Sequence, residues 1–135
     1  MTEDDLKKRT KEFALRILKL VAALPRTIAG RTIGNQLARS GTSVAANYRA
    51  ACRARSKVEF VSRLGVVEEE ADESAFWLEV IIEANLMKRA LVAPLWEEAD
   101  ELVAIMTSSR KSASQSIVTT PRRRTASIAN RKSKI

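Results

Sequence analysis

Only two residues, Arg55 and Ser56, separate two of the longest helical periodicities in the chain. Before them, Ile33, Leu37, Val44, Tyr48 and Cys52 recur at helical spacing. After them, Phe60, Leu64, Val67, Ala71, Leu78 and Ile82 do the same. Ser56 followed by Glu59 is a capping box, in which the hydroxyl accepts the Glu59 amide while the glutamate reaches back to the Ser56 amide. One helix stops and the next starts with no room for a loop, so the two must lie antiparallel and side by side. A chain built around that junction is all-α, and the rest of the sequence extends it to an antiparallel up-down four-helix bundle.

The first helix is expected from about Thr2 to Leu24, capped by Thr2 and followed by Pro25, with Leu6, Phe13, Ile17, Leu20, Val21 and Leu24 on one stripe. Lys7, Lys8, Lys11 and Lys19 fall largely off that stripe. Gly30 reads as the flexible point of a loop, and Thr32 as the cap of a second helix over Ile33 to Ala54. On that helix Arg39, Ser43 and Asn47 form a polar ridge that needs partners, with the carboxylates of the third helix as candidates. The third helix is expected from Lys57 to Met87, with close packing at Gly65. Phe76, Trp77 and Val80 project away from its main stripe, so either that helix is sandwiched within the bundle or its back faces another subunit. Pro94 suits the first position of a fourth helix, and Arg110 and Lys111 suit its end. The bundle is thus expected over residues 1–111, followed by a disordered basic tail over 112–135.

At 135 residues one domain is expected, long enough to bury a core without staples. Cys52 is the single cysteine, so no intramolecular disulfide forms. Glu3, Asp4 and Asp5 stand where a signal peptide carries basic residues, and the apolar runs are too short to cross a bilayer. Cytoplasm is the expected compartment, with no membrane partner and no small-molecule substrate.

The net charge of +8 is unevenly spread. Residues 26–63 hold eight cations against Glu59 alone, whereas residues 64–106 hold eleven carboxylates against Lys88 and Arg89. From residue 112 onward there are six cations and no acid. The body is a strong dipole, a pattern that favours self-association at least as much as nucleic acid.

Motifs for chemistry are missing. The chain has no histidine, which removes the Glu-x-x-His pattern of di-metal bundles and any Ser-His triad. Glu68, Glu69, Glu70, Asp72 and Glu73 lie around most of the helix circumference and read as a solvated or arginine-paired face. Cys52 has Arg49, Arg53 and Arg55 nearby in sequence, yet sits on an apolar stripe where a small core residue is expected. No catalytic, metal or cofactor-binding residue is expected. Two basic sets remain as nucleic-acid candidates: Arg39, Arg49, Arg53, Arg55, Lys57 and Arg63 around the second helix, and Arg122, Arg123 and Arg124 in the tail. The first set can meet phosphates or pair with Glu68, Glu69, Asp72 and Glu73; the second can bind nucleic acid weakly or simply solubilise the end. No aromatic platform accompanies either set.

The order Arg39, Ser43, Asn47, Ser56, Phe60, Glu69, Glu73 resembles the pattern of the four helix bundle protein family, also called the 23S rRNA intervening-sequence protein family. The likeness spans about residues 6–110, and the accessory variability determinant of diversity-generating retroelements is similar in fold. Many members carry Glu-Gly shortly after the asparagine; Ala50 and Ala51 stand here, so that glutamate's role is not carried over. The resemblance implies an up-down bundle in a ring-like homo-oligomer, a pentamer in known relatives, with no enzymatic activity established. Some members are encoded within ribosomal RNA intervening sequences, and the retroelement relative binds nucleic acid and a reverse transcriptase. The expected function is a non-catalytic oligomeric module binding RNA, DNA or a nucleoprotein. The alternative is a protein scaffold whose arginines are used in ion pairs.

Overall fold

The structure, a computed structural model, describes residues 1–119. Four helices follow in order: α1 (Glu3–Ala22), α2 (Ile28–Cys52), α3 (Lys57–Glu83) and α4 (Arg89–Thr119). Each packs on the next, and α1 also meets α4, giving the antiparallel up-down four-helix bundle. Among the described residues there is no strand. Phe13 and Ile17 of α1, Leu37 and Val44 of α2, Leu64, Val67 and Leu78 of α3, and Leu102 and Met106 of α4 fill the core. The α3 stripe ends on Ile81, which is fully buried, while Ile82 is only half-buried.

Both strong caps form. Thr2 and Asp5 make a reciprocal capping box at the start of α1. At α3 the Ser56 hydroxyl accepts the Glu59 amide at 3.1 Å, while the Glu59 carboxylate accepts the Arg55 amide at 3.1 Å. The reach is one residue earlier than the ordinary capping box, and it ties down the two-residue junction itself.

Four boundaries differ from the sequence reading. The second helix starts at Ile28, because Thr27 rather than Thr32 caps it by accepting the Gly30 amide at 3.0 Å. Gly30 is not a hinge: it lies in the helix, where a side chain would strike the Pro25 carbonyl. The third helix stops at Glu83 rather than Met87. Asn85 takes a left-handed backbone (φ 56°), its amide bonds to the Ile82 carbonyl, and the Leu86 amide bonds back to Ile81 at 3.0 Å. That pair of bonds is the Schellman ending, with asparagine in place of the usual glycine. The fourth helix starts at Arg89, so Pro94 lies inside it and leaves the carbonyl four residues earlier without its helical donor. It then runs past Lys111 to Thr119, so residues 112–119 are helical, and Lys57 Nζ donates to Ser116 Oγ at 2.6 Å. The remainder of the expected tail, with Arg122, Arg123 and Arg124, lies outside the described residues.

Candidate nucleic-acid interface

Antiparallel packing gathers four chain segments at one end of the bundle: the start of α1, the end of α2, the start of α3 and the end of α4. The end of α2, the start of α3 and the end of α4 each carry net positive charge, while the start of α1 sets Lys7, Lys8 and Lys11 behind an acidic first turn of Glu3, Asp4 and Asp5. Between α1 and α2 at that end is an open groove of about 410 Å³, lined by Lys7, Lys8, Lys11, Ala45, Ala46, Arg49 and Arg53. The helices make this set by register. Lys7 and Lys11 are four residues apart on α1, Arg49 and Arg53 four apart on α2, so each pair points the same way from its helix. Two alanines between the walls leave the floor low, and the long cationic stems flank it.

Arg49, Arg53, Lys8 and Lys11 are exposed, and among the described residues none makes a hydrogen bond or ion pair, though Lys8 has a weak attraction to Asp5. Lys7 has a loose exposed pair with Asp4 at 3.9 Å. The groove therefore presents a row of cationic donors of which only Lys7 has an ion pair among the described residues.

The sequence grouped Arg39 with these residues; the structure separates it. Arg39 faces α3 and bonds to Glu70 at 3.1 Å and Glu73 at 2.5 Å. Glu73 accepts a further bond from Trp77 Nε1 at 3.1 Å, and these donors, Arg39 first, hold its carboxyl below the usual glutamate range. The expectation that helix 3 carboxylates satisfy the polar ridge thus holds for Arg39. Asn47 instead donates to the Ser43 carbonyl and hydroxyl within α2. Arg55, Lys57 and Arg63 lie exposed at the α2–α3 turn, beside the groove's end of the bundle, with Arg63 4.0 Å from Glu59.

Two further arginines staple the helices. Arg9 of α1 reaches Glu98 at 2.7 Å and Glu101 at 2.6 Å on α4; Arg110 of α4 reaches Glu68 of α3 at 2.8 Å. Sequence reasoning did not single out Lys7, Lys8 and Lys11 as site residues, because no motif joins α1 to α2. The signal that could have found them is the antiparallel pairing itself, which sets the start of α1 beside the end of α2.

Of the residues expected at an interface, Phe76 is 52 % exposed, with its ring edge-on to Trp77 at 4.9 Å between centroids. Trp77 and Val80 pack partly against the core. Helix α3 lies between α2 and α4, so its apolar residues serve two neighbours, which accounts for Trp77 and Val80 but leaves Phe76 half in solvent. Burial pushes the Cys52 thiol up, away from the reactive thiolate. Among the described residues no three His, Cys, Asp or Glu side chains converge as a metal site, and no helix is long and apolar enough to cross a membrane.

No curated protein matches the chain. A crystal structure of a protein of unknown function from the S23 ribosomal protein family of Bacteroides thetaiotaomicron is similar to it, with a TM-score of 0.76 and 31 % identity over 82 % of this chain and 99 % of that one. The family model for the 23S rRNA-intervening sequence protein matches residues 3–108, which takes in the groove, the first three helices and α4 as far as residue 108, and the chain belongs to that family.

Proposed function

We propose that the protein is a non-catalytic module that binds nucleic acid through the α1–α2 groove. The observation that carries this reading is the convergence of Lys7, Lys8, Lys11, Arg49 and Arg53 on one groove, where Lys11, Arg49 and Arg53 make no hydrogen bond or ion pair among the described residues. Cations left unpaired and side by side repel one another, and a polyanion relieves that repulsion while releasing its own counterions. The family's link to ribosomal RNA, and the basic turn residues Arg55, Lys57 and Arg63 at the same end, support the same partner class. Self-association of the bundle, the pentamer included, multiplies the grooves so that weak phosphate contacts add.

The test is a salt series of binding to single-stranded RNA and duplex DNA. Five phosphate contacts give log–log slopes of about −3.5 and about −4.5 respectively. Exchanging Arg49 and Arg53 for Gln lowers the duplex slope by about 1.8, whereas Arg39→Gln leaves it unchanged. A slope insensitive to the first pair, or one that vanishes on truncation after Thr119, removes the groove from the account. Absence of binding by the full chain favours the scaffold reading, for which the Arg39 pairing with Glu70 and Glu73 is the supporting observation.

A further inference from the structure

We infer that the α1–α2 groove takes the phosphodiester backbone of one strand and reads neither base nor sugar, an inference that rests on the nucleic-acid reading above. The chemistry of its lining carries the argument. Every polar side-chain atom there is a cationic donor, and the remaining lining residues, Ala45 and Ala46, are apolar. Base recognition by stacking needs an aromatic face. None lines the groove: Phe13 and Tyr48 are buried in the core, while Phe60, Phe76, Trp77 and Trp96 sit on α3 and α4. Recognition of adenine N6 or cytosine N4 needs an acceptor such as Asn, Gln, Asp or Glu, and the lining holds none.

Arginine and lysine can also donate to guanine O6 and N7, and arginine does so most specifically when its fork is held in a fixed plane. Arg39 shows what holding looks like, with carboxylates on both terminal nitrogens. Among the described residues Arg49 and Arg53 have no such partner, so their guanidinium groups follow the phosphates. Packed helix axes lie about 8–10 Å apart, so the groove between α1 and α2 has room for one backbone, a single strand or one strand of a duplex, and not for two. Along each wall the paired cations are spaced by about 6 Å, one step of four residues, which lets neighbouring phosphates of one strand be met in turn.

The full chain is titrated with three labelled oligomers of equal length and charge: a mixed-sequence single-stranded DNA, the same RNA, and a phosphodiester chain with abasic residues throughout. All three bind with dissociation constants within about threefold and with salt slopes equal within error, and exchange of Arg49 and Arg53 for Gln flattens all three slopes together. If the abasic chain binds about tenfold or more weakly, while the DNA and RNA still depend on Arg49 and Arg53, bases are read and the inference fails, leaving the nucleic-acid reading intact. A large preference of RNA over DNA overturns it likewise, through the 2′-hydroxyl. If none of the three binds at low salt, the nucleic-acid reading falls and the inference with it.

Discussion

Ser40 of α2 and Ser74 of α3 share a 2.9 Å hydrogen bond with both residues wholly withdrawn from solvent. Ser74 also lies 2.9 Å from the Glu70 carbonyl, so a donor sequence from Ser40 to Ser74 to Glu70 satisfies both hydroxyls. The bond fixes α2 against α3 at one register, a few residues from the Arg39 pairing with Glu70 and Glu73. Ser74→Ala leaves Ser40 only the long 3.4 Å approach to the Leu37 carbonyl and is expected to cost about 1–2 kcal/mol. Ser40→Ala leaves Ser74 its backbone acceptor and costs less. In chemical denaturation the double variant loses less than the two single losses added, by about 0.5 kcal/mol or more. Strict additivity would show that the pair is not coupled.

Two helical glycines should respond in opposite directions to the same change. A Cβ on Gly41 meets Ile17 Cγ1 and Cγ2 at 2.8 Å, and Ile17 is fully buried and stiff at χ1. Gly41→Ala is therefore expected to lower stability by about 1–3 kcal/mol, outweighing its gain in helix propensity. At Gly65, which the sequence marked as a close-packing site, a Cβ finds only the Arg110 Cδ at an ordinary 3.7 Å. Gly65→Ala is expected to raise stability by about 0.5–1 kcal/mol. Midpoints of urea unfolding at unchanged slope separate the two outcomes.

Acid should weaken the α3–α4 seam. The hydrogen bond from Arg110 holds the Glu68 carboxyl below the usual glutamate range, with a second bond from Thr107 at 2.8 Å helping. A carboxyl depressed in the folded state contributes stability that is complete above its unfolded value, about 4.3, and lost as pH falls through the lower folded value. Glu73, depressed by Arg39, acts with the same sign. Thermal midpoints are expected to fall as pH drops from about 5 toward 3, with a shallower fall in Glu68→Gln. The pair is partly open to solvent, so Glu68→Gln costs about 1 kcal/mol or less at neutral pH. An unaltered pH profile in that variant would detach Glu68 from acid sensitivity.

The fold was legible because its strongest signals are local. Ser56 and Glu59 mark the start of α3 by side chains that touch the backbone within one turn, and the apolar stripes follow from helical spacing alone. The misplaced boundaries came from signals that are also local but ambiguous. Thr32 is a good cap on paper, but the cap that forms is Thr27, which accepts the Gly30 amide one turn earlier, where Gly30 lies against the Pro25 carbonyl. Asn85 takes the left-handed position that glycine would have advertised. The site was half legible. Arg49 and Arg53 can be picked out as an i, i+4 pair, but which arginines are spent on carboxylates depends on contacts such as Arg39 with Glu73, 34 residues away. The lysines of α1 join the groove only through tertiary packing, and no spacing rule within α1 reveals it.

Self-association is best tested at Phe76. It is the most exposed of the three residues expected at an interface, while Trp77 is tied to Glu73 and Val80 leans on the core. Half-exposed, Phe76 contributes little core burial, so Phe76→Ser is expected to leave helicity and the melting midpoint nearly unchanged. If the face is buried between copies, removing the ring forfeits an aromatic anchor, of the kind that dominates interface energies. Light scattering at micromolar concentration then reports a lower mass for Phe76→Ser than for the native chain. Trp77→Ser serves as the contrast: it cuts the bond to Glu73 and loosens the Arg39 cluster, so its helicity and melting midpoint fall whether or not copies associate. A native chain that scatters as a monomer of about 15.0 kDa at that concentration would remove the oligomer, and with it the addition of weak grooves, leaving each α1–α2 groove to bind alone.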